Sequence, residues 1–122
     1  MKIEWTSKIG NEAKPFRVGL TSGGALVTFA SLTGPGGTGA PQLRLRYRNT
    51  GDVLSFDLAA YADPETPAQF NAQRFFTADD FTAIAAVGTG IWIAEVDAEL
   101  AGLDITFPDD RHPLIRFLPS AN

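Results

Sequence analysis

Apolar and polar residues alternate along most of this chain, and a period of two marks a strand that buries one face. Ile3 and Trp5 alternate with Lys2, Glu4 and Thr6, and Phe16, Val18 and Leu20 alternate with Arg17 and Gly19. Ser22-Gly23-Gly24 is a turn signal, so residues 26–32 are expected to return as the second strand of a hairpin. The next hairpin has the clearest pattern. Leu43, Leu45 and Tyr47 take one face and Arg44, Arg46 and Arg48 the other; beyond Asn49-Thr50-Gly51-Asp52 the apolar face resumes at Leu54, Phe56 and Leu58. Pairing Arg48 with Val53 across a four-residue loop sets Arg46 opposite Ser55 and Arg44 opposite Asp57, with every apolar residue on one side.

The pattern then changes. Asp63-Pro64-Glu65-Thr66-Pro67 reads as a loop, and 70–76 fits strand and helix alike. Thr77-Ala78-Asp79-Asp80 reads as a helix start, with a Thr N-cap and carboxylates in the first turn, and Phe81, Ile84 and Val87 follow at helical spacing up to Gly88. From Gly90 a long strand runs to Leu100; 103–107 and 113–118 are two more, stopped by Pro108 and Pro119. About seven or eight strands with regular turn signals and one short helix predict a mostly-β chain, a β-sandwich of immunoglobulin-like or related topology, with a small barrel as the alternative.

At 122 residues the chain is expected to be a single domain, 1–122, with the Gly-rich segment 34–41 as a flexible loop between strands. Nine Phe and two Trp supply bulk for one core, and the absence of Cys leaves stability to packing. There is no run of 18 apolar residues and no apolar h-region near Met1, so a soluble protein made in the cytoplasm, without a membrane partner, is expected. The net charge of −4 argues against nucleic acid, whose binding rests on neutralising phosphates with Lys and Arg. The charge is divided: residues 1–61 carry seven Lys/Arg against four Asp/Glu, and 62–122 carry three against ten. Such asymmetry suits head-to-tail assembly, or basic strands beside acidic ones.

Catalytic signatures are few. Gly34, Gly36 and Gly39 satisfy the GxGxxG spacing, but Pro41 and the strand at Leu43 follow where a dinucleotide site needs a helix N-terminus. His112, the only histidine, sits in Asp109-Asp110-Arg111-His112-Pro113, which reads as a turn; no second His or EF-hand pattern supports a metal, and no cofactor is expected. Glu95, Asp97 and Glu99 alternate with Val96, Ala98 and Leu100 as on an exposed strand face, and Asp79 and Asp80 already serve the helix start. Nothing here assembles a catalytic site, and the chain is expected not to be an enzyme.

Two surface features remain. Arg44, Arg46 and Arg48 form a basic stripe, which reads first as an exposed face balanced by cross-strand carboxylates such as Asp57, and otherwise suits phosphates, sialic-type sugars or an acidic partner strand. Ile91 and Ile93 share a face with Glu95 and Asp97, and Leu114 and Leu118 flank Arg116 opposite Ile115 and Phe117. Apolar residues on both faces of two strands mean a covering layer within the domain or contact with another chain. Ile91, Ile93, Leu114, Arg116 and Leu118, together with the Arg stripe, are therefore the candidate partner-binding residues.

Several segments fall in a familiar order: Leu32-Thr33-Gly34, the Arg-rich strand followed by Val53-Leu54-Ser55-Phe56, a helical insert at 77–87, Gly90-Ile91-Trp92-Ile93-Ala94-Glu95-Val96, Thr106-Phe107-Pro108 and Leu114-Ile115-Arg116-Phe117-Leu118. This order resembles the N-terminal domain of phage baseplate upper proteins and related tail-attached β-sandwich modules. The resemblance carries no catalytic residues. It implies a structural role in a virion, as a tail, baseplate, connector or capsid-decorating module, oligomeric in its assembly and in contact with other virion proteins or copies of itself. Two other classes stay open: a carbohydrate-binding module using exposed aromatics such as Trp5 or Tyr47, and a small acid/base hydrolase using an acidic pair.

Overall fold

The computed structural model of the chain describes residues 3–22, 24–107 and 113–120, and for 103–107 the backbone alone. The strands are β1 (Ile3–Lys8), β2 (Phe16–Val18), β3 (Thr21–Ser22), β4 (Ala25–Leu26), β5 (Leu32–Thr33), β6 (Gln42–Tyr47), β7 (Val53–Asp57), β8 (Ala59–Ala60), β9 (Ala72–Arg74), β10 (Gly90–Leu100), β11 (Leu103–Phe107) and β12 (Leu114–Leu118). Among the described residues one α-helix, α1 (Ala78–Val87), interrupts them.

The large sheet runs β1-β12-β10-β6-β7, and the small one β2-β9-β8. All pairs are antiparallel except β1 with β12. Strand β10 is long enough to take two neighbours on each edge: β12 then β11 on one, β6 then β5 on the other. With β2, β6, β7, β8, β9, β10 and β12 in the roles of strands B, C, C′, D, E, F and G, the sheets follow the G-F-C-C′ and B-E-D orders of a variable-type immunoglobulin sandwich. The chain is thus mostly β, sandwich-like, with one short helix, as its pattern predicts.

The buried apolar residues among those described form one core between the sheets. Trp92, Ala94, Val96 and Ala98 of β10 alternate into it, as do Leu43, Leu45 and Tyr47 of β6, and they meet Phe16 and Ala72 of the small sheet and Phe81 and Ile84 of α1. An immunoglobulin domain commonly joins B to F by a disulfide here. In this cysteine-free chain, Phe16, Val18, Leu43, Ala94 and Val96 pack around the equivalent place. The helix starts on the expected cap: Thr77 Oγ1 accepts from the Asp80 amide and the Asp80 carboxylate accepts from the Thr77 amide. Its C-terminal end is fixed to the sheet, because Trp92 Nε1 donates to Gly88 O at 3.1 Å and the Tyr47 hydroxyl to Thr89 O at 2.8 Å. The Tyr47 ring lies where a Cβ on residue 88 would sit, 2.6 Å from Cζ, so only glycine fits there.

Three local expectations are corrected. The β6–β7 hairpin is slipped by two residues from the predicted register: Arg46 faces Val53, Arg44 faces Ser55 and Gln42 faces Asp57. Gly51 takes a left-handed conformation (φ 82°), its amide and the Asp52 carbonyl both bond Tyr47, and the Arg48 amide is left to pair with Ile91 O of β10. A slip of two preserves the faces, so pattern alone does not choose between the registers. Residues 26–32 are not one strand, because a 3-10 turn at Phe29–Ser31 separates β4 from β5. The expected hairpin survives only as a short ladder, in which Thr21 faces Leu26, Ser22 faces Ala25 and the Val27 amide bonds Leu20 O, whereas β2 itself pairs with β9 from the ambiguous 70–76 stretch. Asn71 makes that arrangement possible. Buried, it accepts from the Leu20 amide and donates to the carbonyls of Leu20 and Val27, tying the two arms of the hairpin together beyond the β3–β4 ladder. The 34–41 loop closes on itself through Gly34 N–H to Gly39 O, 2.9 Å.

The loop before β9 is organised by Asp63. Its carboxylate accepts from the Glu65 amide at 3.0 Å, the Gln69 amide at 2.8 Å and the Phe70 amide at 3.0 Å. The Glu65 bond foremost, then Gln69, and further Phe70 and the Arg17 charge, hold its pKa below the ordinary 3.8 against a smaller desolvation effect. Because the folded value is depressed, the loop order it supports is complete above the unfolded pKa and is lost as pH falls through the folded one. In a pH titration followed by NMR, the Gln69 and Phe70 amide resonances are expected to move with a midpoint below 3.8. A midpoint above it contradicts the assigned hydrogen bonds.

Candidate interaction face

The core-facing residues of β6, β10 and β12 alternate with a second set on the outer face of the large sheet, and the register aligns that set in rows. One row holds Arg48, Ile91, Arg116 and Thr6. The next holds Val53, Arg46, Ile93 and Leu114. A third holds Ser55, Arg44 and Glu95. Leu118 continues the face along β12, beside Lys8 of β1. All eight candidate partner-binding residues thus share one surface, with Ile91, Ile93, Leu114 and Leu118 partly buried and Arg46, Arg48 and Arg116 exposed. Rows on one face lie roughly 7 Å apart, so the apolar centre spans three strands and a comparable length along them.

The arginines differ in their surroundings. Arg44 is pinned: its Nη1 lies 3.0 Å from Glu95 Oε1 and 3.1 Å from Asp97 Oδ2. The carboxylates that balance it come from β10, and not from Asp57 as the predicted hairpin register required; Asp57 instead accepts from Gln42 Nε2. Among the described residues, Arg46 and Arg116 take part in no ion pair. A dimple of about 70 Å³ opens between Arg44, Arg46, Val53, Ile93 and Glu95. Val53, 41% exposed, belongs to this face but was not among the candidates. Its side is legible once the register is known, since it alternates with Leu54.

The other candidate chemistries are placed as follows. Tyr47 is buried, with its ring 4.9 Å from Trp92, which corrects its reading as an exposed sugar-stacking aromatic. Trp5 is partly buried in the aromatic core, 5.6 Å from both Phe16 and Phe117, but one side of it lines a groove of about 390 Å³ with Glu4, Phe16, Arg17 and Phe70. Glu95 and Asp97 both face the Arg44 guanidinium, and Asp80 serves the helix cap and Arg74 Nη2 at 2.6 Å. Among the described residues no three His, Asp or Glu side chains gather as for a metal; His112 and the predicted turn at 109–112 lie outside them. No described helix is long and apolar enough to cross a membrane. No protein-family model matches the chain, and neither a curated protein nor a solved structure matches it.

Proposed function

We propose that this chain is a non-catalytic structural module of a phage virion, of tail, baseplate, connector or capsid-decorating type, acting through protein–protein contact. The outer face of the large sheet is the working surface, and other virion proteins or copies of the chain are its partners. The observation that carries the contact is the row Val53, Arg46, Ile93 and Leu114, apolar side chains and a cation without an ion pair among the described residues, on a face turned away from the core. Partly buried aliphatics supply affinity, while exposed cations supply orientation and encounter rate. The virion setting rests on the resemblance to tail-attached β-sandwich modules. The test is sedimentation of the native chain against the Ile93→Ser, Leu114→Ser double variant, in which assembly is expected to be lost with the fold kept.

The groove beside Trp5 favours one second reading, a carbohydrate-binding module, because its volume and its Trp5, Phe16 and Phe70 walls are of ligand-site size and character. Glycan-array binding by the native chain that is abolished by Phe70→Ala, a residue 37% exposed, is the result this reading requires.

A further inference from the structure

The two edges of the large sheet are finished differently. At the β1 edge the strand is irregular between Ile3 and Trp5, and the Lys14 ammonium occupies the outward carbonyl of Thr6. Irregularity and lysine are devices by which sheets refuse a further strand. At the β7 edge, Val53–Asp57 has no Pro, Lys or bulge, and the only cation on an outward carbonyl among the described residues is Arg74 at its Asp57 end. The hydrogen bonds Tyr47 N–H to Asp52 O and Leu58 N–H to Pro41 O fix the parity of the ladder, so Leu54 and Phe56 bond β6 while the amides and carbonyls of Val53, Ser55 and Asp57 point outward. Arg74 Nη1 reaches the Asp57 carbonyl at 3.2 Å; among the described residues nothing reaches the other outward groups.

We propose that β7 is the docking edge for β7 of a second copy of this chain, antiparallel about a two-fold axis through Ser55. In that register Ser55 faces Ser55 of the second copy, and Val53 faces its Asp57, so every outward amide finds a carbonyl, the Val53 amide sharing the second lone pair of an Asp57 oxygen that Arg74 already bonds. Charge complementarity selects the occupant. On the outer face, Asp57 of the second copy stands beside Val53 and therefore two strands, roughly 9.6 Å, from the backbone of Arg46, a span that an extended Arg and an Asp close between them. Arg46 is exposed and without an ion pair among the described residues, and the axis supplies the same contact twice. On the inner face the register sets partly buried Leu54 against Phe56 of the second copy, in the pair type whose side chains lie closest. The contact adds an edge to the interaction face proposed above and shares Val53 and Arg46 with its central row.

The test is sedimentation equilibrium of the full chain and of two edge variants. Ser55→Pro removes an amide that bonds nothing among the described residues, a position where a strand tolerates proline. Ser55→Lys places a charge there without touching the backbone. The native chain is expected to show a monomer–dimer equilibrium and both variants a dissociation constant raised at least about tenfold, with unchanged circular dichroism. If Ser55→Pro loses its fold, Ser55→Lys alone decides. Arg46→Asp is expected to weaken the dimer and Arg46→Asp with Asp57→Arg to restore it. A native chain monomeric up to ~1 mM, the weak limit of specific affinity, overturns the proposal. So does a dimer that survives both edge variants; if that dimer falls apart in the Ile93→Ser, Leu114→Ser variant, the sheet face and not the edge joins the copies.

Discussion

Replacing Phe76 with Ala is expected to lower the unfolding free energy by about 3–5 kcal/mol, the range for deleting a buried Phe ring. Phe76 is 1% exposed, and four rings surround it: Phe56 of β7 at 5.4 Å, Phe117 of β12 at 5.5 Å, and Trp5 of β1 and Phe81 of α1 at 5.9 Å each. It therefore joins both ends of the large sheet to the helix, and rings from four separate elements cannot all collapse into the space it leaves. Each perpendicular or tilted ring pair adds about 0.5–1.5 kcal/mol beyond area alone, which places this site toward the upper part of the range. Against a total stability of about 5–15 kcal/mol, the loss is a large fraction. Phe75 is the internal control. One residue away in the chain and 46% exposed, it is expected to cost under about 1 kcal/mol when truncated. Urea unfolding of the two variants checks both values, and a Phe76→Ala cost as small as that of Phe75→Ala would show that the cluster is not the centre of the fold.

The contrast between these neighbours illustrates what a pattern of residues can and cannot carry. Where a strand buries one face and exposes the other, side-chain direction follows from alternation; β6, β10 and β12 were legible for this reason, and with them the outer-face set from Arg44 to Leu118. The helix was legible because its cap is a local hydrogen-bond pattern between Thr77 and Asp80. Phe75 and Phe76 lie between β9 and α1, where no period holds, so nothing in their order says which is buried. Register is non-local in the same sense. A two-residue slip leaves every face unchanged, and it was decided by Gly51 in the turn and by competition from β10 for the Arg48 amide. The consequence reached the charges: Asp57, expected opposite Arg44, stands opposite Gln42, and Arg44 turns to Glu95 and Asp97. The pairing of β2 with β9 hangs on Asn71, whose side chain bonds residues 44 and 51 positions away.

The Ile93→Ser, Leu114→Ser double variant is expected to dissociate the assembly while the monomer keeps its fold. The two residues face each other across β10 and β12, with buried Trp92 and Ile115 paired directly behind them, so the substitutions remove outer-face carbon and leave the core layer intact. Fully burying such a side chain contributes about 1.5–3 kcal/mol, and these are already partly covered, so roughly half remains for a partner to gain. Two residues then supply about 1.5–3 kcal/mol, a loss of about 10- to 150-fold in affinity. Exposed ion pairs contribute mostly below about 1 kcal/mol, so the arginines are expected to act differently. Arg46→Ala should slow association and flatten its salt dependence, since this guanidinium has no ion pair among the described residues. Arg44→Ala is not equivalent: it leaves Glu95 and Asp97 facing a lost cation, and its effect should fall on monomer stability. Analytical ultracentrifugation with circular dichroism separates these outcomes. If the double variant unfolds, Ile93 and Leu114 are covered from within the domain and the face is no interface; if it stays folded and assembled, the contact lies elsewhere on the sheet.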